Sequence, residues 1–256
     1  MYATVYYSWL CQYLQDGCDC MINNEFTTPF FSADFSFALP PERLVLATGG
    51  RSPDEDWLAA MAKGKRLWCI DHGIDCCRRA GLLPERLIGD GDSAMKASWT
   101  WALQNGVEIA KFPPEKDFTD TQLALDMAAQ EDAFVILTGA FGGRFDHAFS
   151  TSFSFAHSQL KGIMLDDREA MLFLKGGEAL DLHFSLMPKA LSLLSFTSES
   201  LGVNISNVKW PLSNAALKQA LPYSVSNEAA QNPVSISLNQ GILGIYICWN
   251  EADIVS

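Results

Sequence analysis

Two aspartates two residues apart, Asp90 and Asp92, close a short apolar run in the stretch Leu87-Ile88-Gly89-Asp90-Gly91-Asp92-Ser93. Carboxylates at a glycine-loosened strand end can converge their oxygens on a hard divalent cation, and the glycines let backbone approach a ligand. The chemistry this suggests is a magnesium and nucleotide-phosphate site. An acidic surface turn uses the same residue types, so this stretch alone leaves both readings open. In Glu115-Lys116-Asp117-Phe118-Thr119-Asp120, Asp117 or Asp120 offers further metal-facing oxygens and Lys116 a point charge for phosphate. The competing reading makes Thr119 or Asp117 a helix cap and Asp120 a first-turn partner of the helix dipole. The stretch 139–147, Gly-Ala-Phe-Gly-Gly-Arg-Phe-Asp-His, combines small residues, including Gly143, with Arg144, Asp146 and His147. Its amides can approach phosphate oxygens and Arg144 can fork onto them. His147 suits either a general base or a positioning hydrogen bond. Carboxylates gathered in one crevice repel one another, and a bound cation removes that conflict.

The elements that must carry these residues alternate strand and helix. Leu44-Val45-Leu46-Ala47 is a continuous apolar run closed by Thr48-Gly49-Gly50, as in a buried parallel strand. Ser52-Pro53-Asp54 opens a helix with acidic residues in its first turn. Arg66-Leu67-Trp68-Cys69-Ile70 is a second strand ending at Asp71-His72-Gly73, a helix follows over 74–80, and Arg86-Leu87-Ile88 leads into the aspartate pair. Helices over 98–105 and 120–130 bracket a strand at 107–110, and 134–137 is the next strand. Strands separated by helices at this spacing predict a mostly parallel sheet, whose ligands bind at the carboxyl ends of the strands. Asp71, Asp90, Asp92, the 116–120 turn and the 139–147 stretch all fall at such ends. Beyond residue 160 the pattern changes to short β-type runs separated by Asp, Gly, Pro and Ser turns. The expected architecture is therefore α/β, with a parallel sheet and flanking helices over 41–160, then an antiparallel all-β sandwich or barrel over 161–256. Residues 1–40, aromatic-rich and broken by prolines, are expected to be an extension of uncertain structure.

Composition narrows the partners. With 48% hydrophobic residues the 256-residue chain has ample material for a core. A net charge of −12 argues against general nucleic-acid binding, which relies on Lys and Arg, but not against one nucleotide held through a metal. No run of about 18 uncharged apolar residues is present, so no membrane partner is expected. The first Lys or Arg is Arg43, which does not fit a secretory signal, and the expected compartment is the cytoplasm. Seven cysteines without zinc-site spacing read as reduced structural thiols.

Asp71-His-Gly, Gly89-Asp-Gly-Asp-Ser93, Lys116-Asp-Phe-Thr-Asp120 and Gly142-Gly-Arg-Phe-Asp-His147 stand in the order and spacing of the motifs of thiamine pyrophosphokinases, and the chain resembles that family over about 43–249. In the second half, Val208-Lys-Trp-Pro-Leu212 and Ser224-Val-Ser-Asn-Glu228 resemble the family's thiamine-binding β domain. The resemblance implies that Asp90, Asp92, Asp117 and Asp120 hold Mg²⁺ and the triphosphate of ATP, with Asp90, Asp92 and Asp120 as metal ligands. It places Asp71 and Lys116 beside the nucleotide and makes Gly143, Arg144, Asp146 and His147 the nucleotide loop. Trp210 would stack on thiamine, with Ser226 and Asn227 near its pyrimidine, and the site would lie between the subunits of a homodimer. Three residues depart from the family pattern: His72 replaces a glycine, Asp75 stands where Asn is usual, and Gly91 where Phe is common.

The implied reaction is attack of the hydroxyethyl oxygen of thiamine on the β-phosphorus of ATP, with Asp92 and Asp120 as alternative proton acceptors. An aromatic face such as that of Trp210 attracts the cationic thiazolium ring. Two rivals share much of this pattern: pyrophosphoryl transfer to another hydroxymethyl heterocycle such as a pterin, and a non-catalytic nucleotide or thiamine sensor.

Overall fold

The computed structural model describes residues 24–112 and 118–249. Its contacts divide the chain into two units, Pro40–Asp167 on the one hand and Arg168–Ser256 together with Met1–Leu39 on the other.

The first described strands are β1 (Glu25–Thr27) and β2 (Phe31–Phe35). The α/β unit then runs β3 (Glu42–Ala47), α1 (Glu55–Ala62), β4 (Arg66–Ile70), α2 (Gly73–Arg79), β5 (Arg86–Ile88), α3 (Lys96–Gln104), β6 (Glu108–Ala110), α4 (Asp120–Ala128), β7 (Ala133–Thr138), α5 (Phe145–His157) and β8 (Lys161–Leu165). Its strands lie in the order β8-β7-β3-β4-β5-β6, and every pairing among them is parallel. The apolar run of β3 is buried because helices cover both faces of such a sheet. Val45 is in register with Leu67 of β4 on one side and Ile136 of β7 on the other. The chain moves outward from β3 through β6, then returns to place β7 against the other edge of β3. That reversal is the topological switch point at which open α/β sheets bind ligands.

Local chemistry sets the helix starts. The Asp54 side chain accepts from the Trp57 N–H at 3.0 Å, capping α1. At α4 the capping alternative is realised by Thr119, whose hydroxyl accepts from the Gln122 N–H at 3.1 Å. The Gln122 side chain accepts in return from the Thr119 N–H at 2.9 Å, a capping box.

The β unit continues with β9 (Glu169–Lys175), β10 (Ala179–Phe184), β11 (Ala190–Ser195), β12 (Glu199–Ile205), β13 (Leu212–Lys218), β14 (Val234–Ser237) and β15 (Ile242–Cys248). One antiparallel sheet has the order β1-β2-β10-β14-β12-β13, and β11, β15 and β9 pair antiparallel in that order. Alternation buries Phe31, Ala33 and Phe35 of β2 beside Leu180, Leu182 and Phe184 of β10. The Trp249 ring, just past β15, stacks on Phe31 with centroids 5.5 Å apart.

Three features differ from the expectations above. Residues 24–39, expected as an extension of uncertain structure, supply two strands of the β unit, and β2 sits inside its sheet. The run at 161–165 pairs parallel with β7, so the α/β unit extends to Asp167 rather than to residue 160. The stretch after β7 enters α5 at Phe145, so Asp146 and His147 lie in a first helical turn rather than a loop. Among the described residues, Cys69, Cys76, Cys77 and Cys248 are buried and in no disulfide, and no helix is long and apolar enough to cross a membrane. Cys11, Cys18 and Cys20 lie outside the described residues.

Candidate functional site

Within the α/β unit, the loops leaving the carboxyl ends of β3, β4, β5 and β7 touch one another. The Gly50 N–H donates to the Gly139 carbonyl at 2.7 Å and the Arg51 N–H to the Phe141 carbonyl at 2.8 Å, joining the loops after β3 and β7. The loops after β4 and β5 are locked by Asp71. Its N–H donates to the Ile88 carbonyl at 2.9 Å, and its carboxylate fills the space where Gly89 has no side chain. A Cβ at Gly89, whose φ is 139°, would lie 1.8 Å from Asp71 Oδ1, so glycine is required there.

Asp90 and Asp92 follow on this turn. The Asp92 N–H donates to Asp90 Oδ1 at 3.0 Å, which holds the two carboxylates on one loop. Asp92 is held above the ordinary carboxylate range, first by its hydrogen bond and charge interaction with Asp90, with Asp120 adding to the effect. Asp120 opens α4, so two separate elements aim acidic groups at one region. Among the described residues no three His, Cys, Asp or Glu side chains form a group that could hold a metal ion alone. Magnesium is commonly held by one or two carboxylates and completed by substrate phosphates and water, so the Asp90–Asp92 pair with Asp120 nearby fits that mode. Lys116 and Asp117 lie outside the described residues.

Gly91 departs from the family pattern for a packing reason. With φ at 83° it lies under the indole of Trp99, and a Cβ there would come within 2.9 Å of the ring. The Trp99 face in turn carries the Lys111 ammonium, 5.4 Å from the ring centroid.

Gly143 and Arg144 lead into α5, with Arg144 at its N-cap. The Arg144 fork is closed on its own neighbour: Nε donates to Asp146 Oδ1 at 3.1 Å and Nη2 to Oδ2 at 2.6 Å. The pairing raises the arginine and lowers the aspartate from their ordinary ranges. The His147 N–H also donates to Asp146 Oδ1, at 3.0 Å. Arg144, Asp146 and His147 are exposed, so a phosphate can compete for the arginine at small cost.

Sequence reasoning missed two pairs in these loops. Arg51 Nη2 lies 2.5 Å from Oδ2 of the fully buried Asp166, which follows β8. His72, the residue after Asp71, meets Asp75 at 2.5 Å. The signal for Arg51 was a basic residue following glycines at a strand end, the same signature as Arg144.

In the β unit, Trp210, Ser226 and Asn227 come together. The Trp210 N–H donates to Asn227 Oδ1 at 3.1 Å, and Asn227 Nδ2 donates to the Trp210 carbonyl at 2.8 Å. Ser226, with φ at 56°, donates its N–H to Ser192 Oγ at 3.0 Å. The Trp210 ring is 54% exposed, and the Lys209 ammonium sits 4.6 Å from its centroid. That ring already holds one cation on its face.

Residues 59–165 match the family model described as thiamin pyrophosphokinase, catalytic domain, and residues 180–243 the one described as thiamin pyrophosphokinase, vitamin B1 binding domain. Together they take in about two thirds of the chain. The thiamine pyrophosphokinase of Bacillus subtilis (strain 168) is 25% identical over 182 residues, which are 69% of this chain and 85% of that protein. Thiamin pyrophosphokinase 1 of Caenorhabditis elegans is 25% identical over 171 residues, 62% of this chain and 68% of that protein. The crystal structure of the Bacillus subtilis thiamine pyrophosphokinase superposes with a TM-score of 0.73 at 20% identity, covering 82% of this chain and all of that one. The Candida albicans thiamin pyrophosphokinase gives 0.67 at 14% identity, covering 81% and 90%. These superpositions show a shared fold.

Proposed function

Since this chain belongs to the thiamin pyrophosphokinase family, a family of enzymes, we propose that it transfers the pyrophosphoryl group of magnesium-bound ATP to the hydroxyethyl oxygen of thiamine, giving thiamine diphosphate and AMP. The observation that carries this reading is the placement of Asp71, Asp90, Asp92 and Asp120 at strand ends and a helix start of one unit. So many carboxylates gain nothing from each other. They suit a ligand that arrives with its own cation.

In the proposed reaction the thiamine hydroxyl oxygen forms a bond to the β-phosphorus, and the bond from that phosphorus to the α–β bridging oxygen breaks. AMP leaves with the bridging oxygen, and the hydroxyl proton passes to a carboxylate, for which Asp92 and Asp120 are both candidates. Asp90 and Asp92, with Asp120, would hold Mg²⁺. The bound ion would offset the charge on the phosphoryl oxygens. Asp71 would orient the nucleotide, Arg144 would exchange Asp146 for a phosphate oxygen, and Gly143 and His147 would line that contact. Lys116 and Asp117 keep the nucleotide-side roles their motif implies. Trp210 would present its ring to the thiazolium, with Ser226 and Asn227 at the pyrimidine. We place the working site between the two copies of a homodimer, in the cytoplasm.

The test is to incubate purified protein with Mg-ATP and thiamine and measure AMP and thiamine diphosphate. Formation of both in equal amounts is expected. AMP formed only with a pterin alcohol would move the acceptor, and tight binding of either substrate without turnover would remove the catalytic reading.

A further inference from the structure

Two of the departures from the family pattern turn out to be one structural unit. His72 Nδ1 lies 2.5 Å from Asp75 Oδ2, and the same oxygen accepts the Met95 N–H at 3.3 Å. The Asp75 side chain is 5% exposed, and its Oδ1 has no hydrogen-bond partner among the described residues. A buried carboxylate is costly unless something pairs with it, whereas the amide usual at this position needs no such partner. His72 is that partner. A carboxylate accepts and does not donate, so the hydrogen of this bond sits on Nδ1, and the ring is set by Asp75 in one orientation.

The ring is also set against the crevice. His72 follows Asp71 at the end of β4, and a Cβ added to Gly49 in the loop after β3 would lie 2.5 Å from the His72 Cβ. The side chain nevertheless remains 51% exposed. Its Nε2 bonds to no described residue, so it is left for whatever enters between these loops. An ion pair with one exposed partner adds little to stability. What the pair produces is an imidazole held in one orientation at the end of β4, next to Asp71 and against the loop after β3.

We infer that His72, oriented by Asp75, contacts the nucleotide, donating Nε2–H to a phosphoryl oxygen of ATP. In that complex Nδ1 faces Asp75 and Nε2 faces the phosphate. The inference rests on the nucleotide reading of this crevice and adds a side-chain donor to it. The family's glycine at this position has no side chain to offer.

The experiment measures binding of Mg-ATP and of adenosine by calorimetry to the full chain and to His72→Ala, Asp75→Asn and the double variant. Loss of one charge-assisted hydrogen bond weakens Mg-ATP about tenfold in His72→Ala, while adenosine binding stays unchanged. Asp75→Asn weakens Mg-ATP by less, and the double variant is no worse than His72→Ala, because Asp75 acts through the ring. His72→Gln, which restores a donor, recovers part of the loss. Unchanged Mg-ATP affinity in His72→Ala, or an equal loss for adenosine, overturns the phosphate contact. A full additional loss in the double variant overturns the coupling to Asp75. Thiamine is absent throughout, so a protein that shows the tenfold effect yet makes no thiamine diphosphate would lose the transfer reading and keep this one.

Discussion

Replacing Gly89 by Ala puts a methyl group where the structure has a carboxylate. The added Cβ would lie 1.8 Å from Asp71 Oδ1 and 2.9 Å from its Cγ, and the residue would have to hold a φ of 139°. That backbone region costs a non-glycine residue about 1–3 kcal/mol, and forcing a packed group aside costs a similar amount, so the total is roughly 2–6 kcal/mol. At about 3 °C per kcal/mol for a unit of this size, the thermal midpoint of the α/β unit should fall by roughly 6–18 °C. Asp71 must move to admit the methyl group, so Mg-ATP affinity should fall with the midpoint. Gly64→Ala is the control: Gly64 also has a positive φ, 69°, but nothing lies within 4 Å of its Cβ position, so it bears the backbone cost alone. The assay is differential scanning calorimetry of both variants with and without Mg-ATP. If Gly89→Ala loses no more than Gly64→Ala, then Asp71 moves without cost, and its carboxylate is not the lock between the two loops.

Asp92→Asn should abolish pyrophosphoryl transfer while leaving the fold intact, and near-normal turnover would remove Asp92 from the mechanism. Because Asp92 is held above its ordinary range by Asp90 and Asp120, its folded value exceeds its unfolded one; ionisation then disfavours the metal-free fold, and the penalty is relieved as pH falls through the folded value. The variant's metal-free midpoint should therefore exceed the parent's near neutral pH and lose that advantage in acid, as melts across pH would show. Arg51→Ala removes the guanidinium from the fully buried Asp166 and should cost about 3–5 kcal/mol in urea denaturation, more than Asp166→Asn, which leaves a partly exposed arginine that water can reach. Trp210→Ala should raise the KM for thiamine by about 3- to 30-fold, the range of one cation–π contact, with Trp210→Phe between it and the parent and all three melting together.

The parallel part of the fold was legible because its signals are local. Leu44 to Ala47 and Phe134 to Leu137 are apolar without interruption since both faces of their strands are covered, and each is followed by Thr-Gly, at Thr48-Gly49 and Thr138-Gly139. Asp71, Asp90 and Asp92 were expected at neighbouring strand ends because a parallel sheet places those ends on the same side, and the Asp71 N–H does meet the Ile88 carbonyl. What escaped depends on partners distant in sequence. The alternation Phe31, Ala33, Phe35 was present, but the strand it pairs with, β10, lies far along the chain. Ser213, Asn214, Ala215 and Ala216 carry no alternation, and β13 exists because β12 pairs with it. The α5 sequence, crowded with Phe and Ser, is a weak helix former, so its start at Phe145 was hidden. Arg51 and Asp166 end strands on either side of β7, and no local pattern announces that they meet.

The β unit is interrupted in sequence: β1 and β2 are made first, the whole of Pro40–Asp167 follows, and only then does β10 appear. During synthesis the α/β unit is complete and free to fold while Phe31 and Phe35 still await the strand that will bury them. A shortened chain beginning at Pro40 would retain every acidic residue of the crevice and yet open the long edge of β10 to other chains. Removal of its first strands would therefore show itself as aggregation through the β unit, with the α/β unit keeping its own parallel sheet.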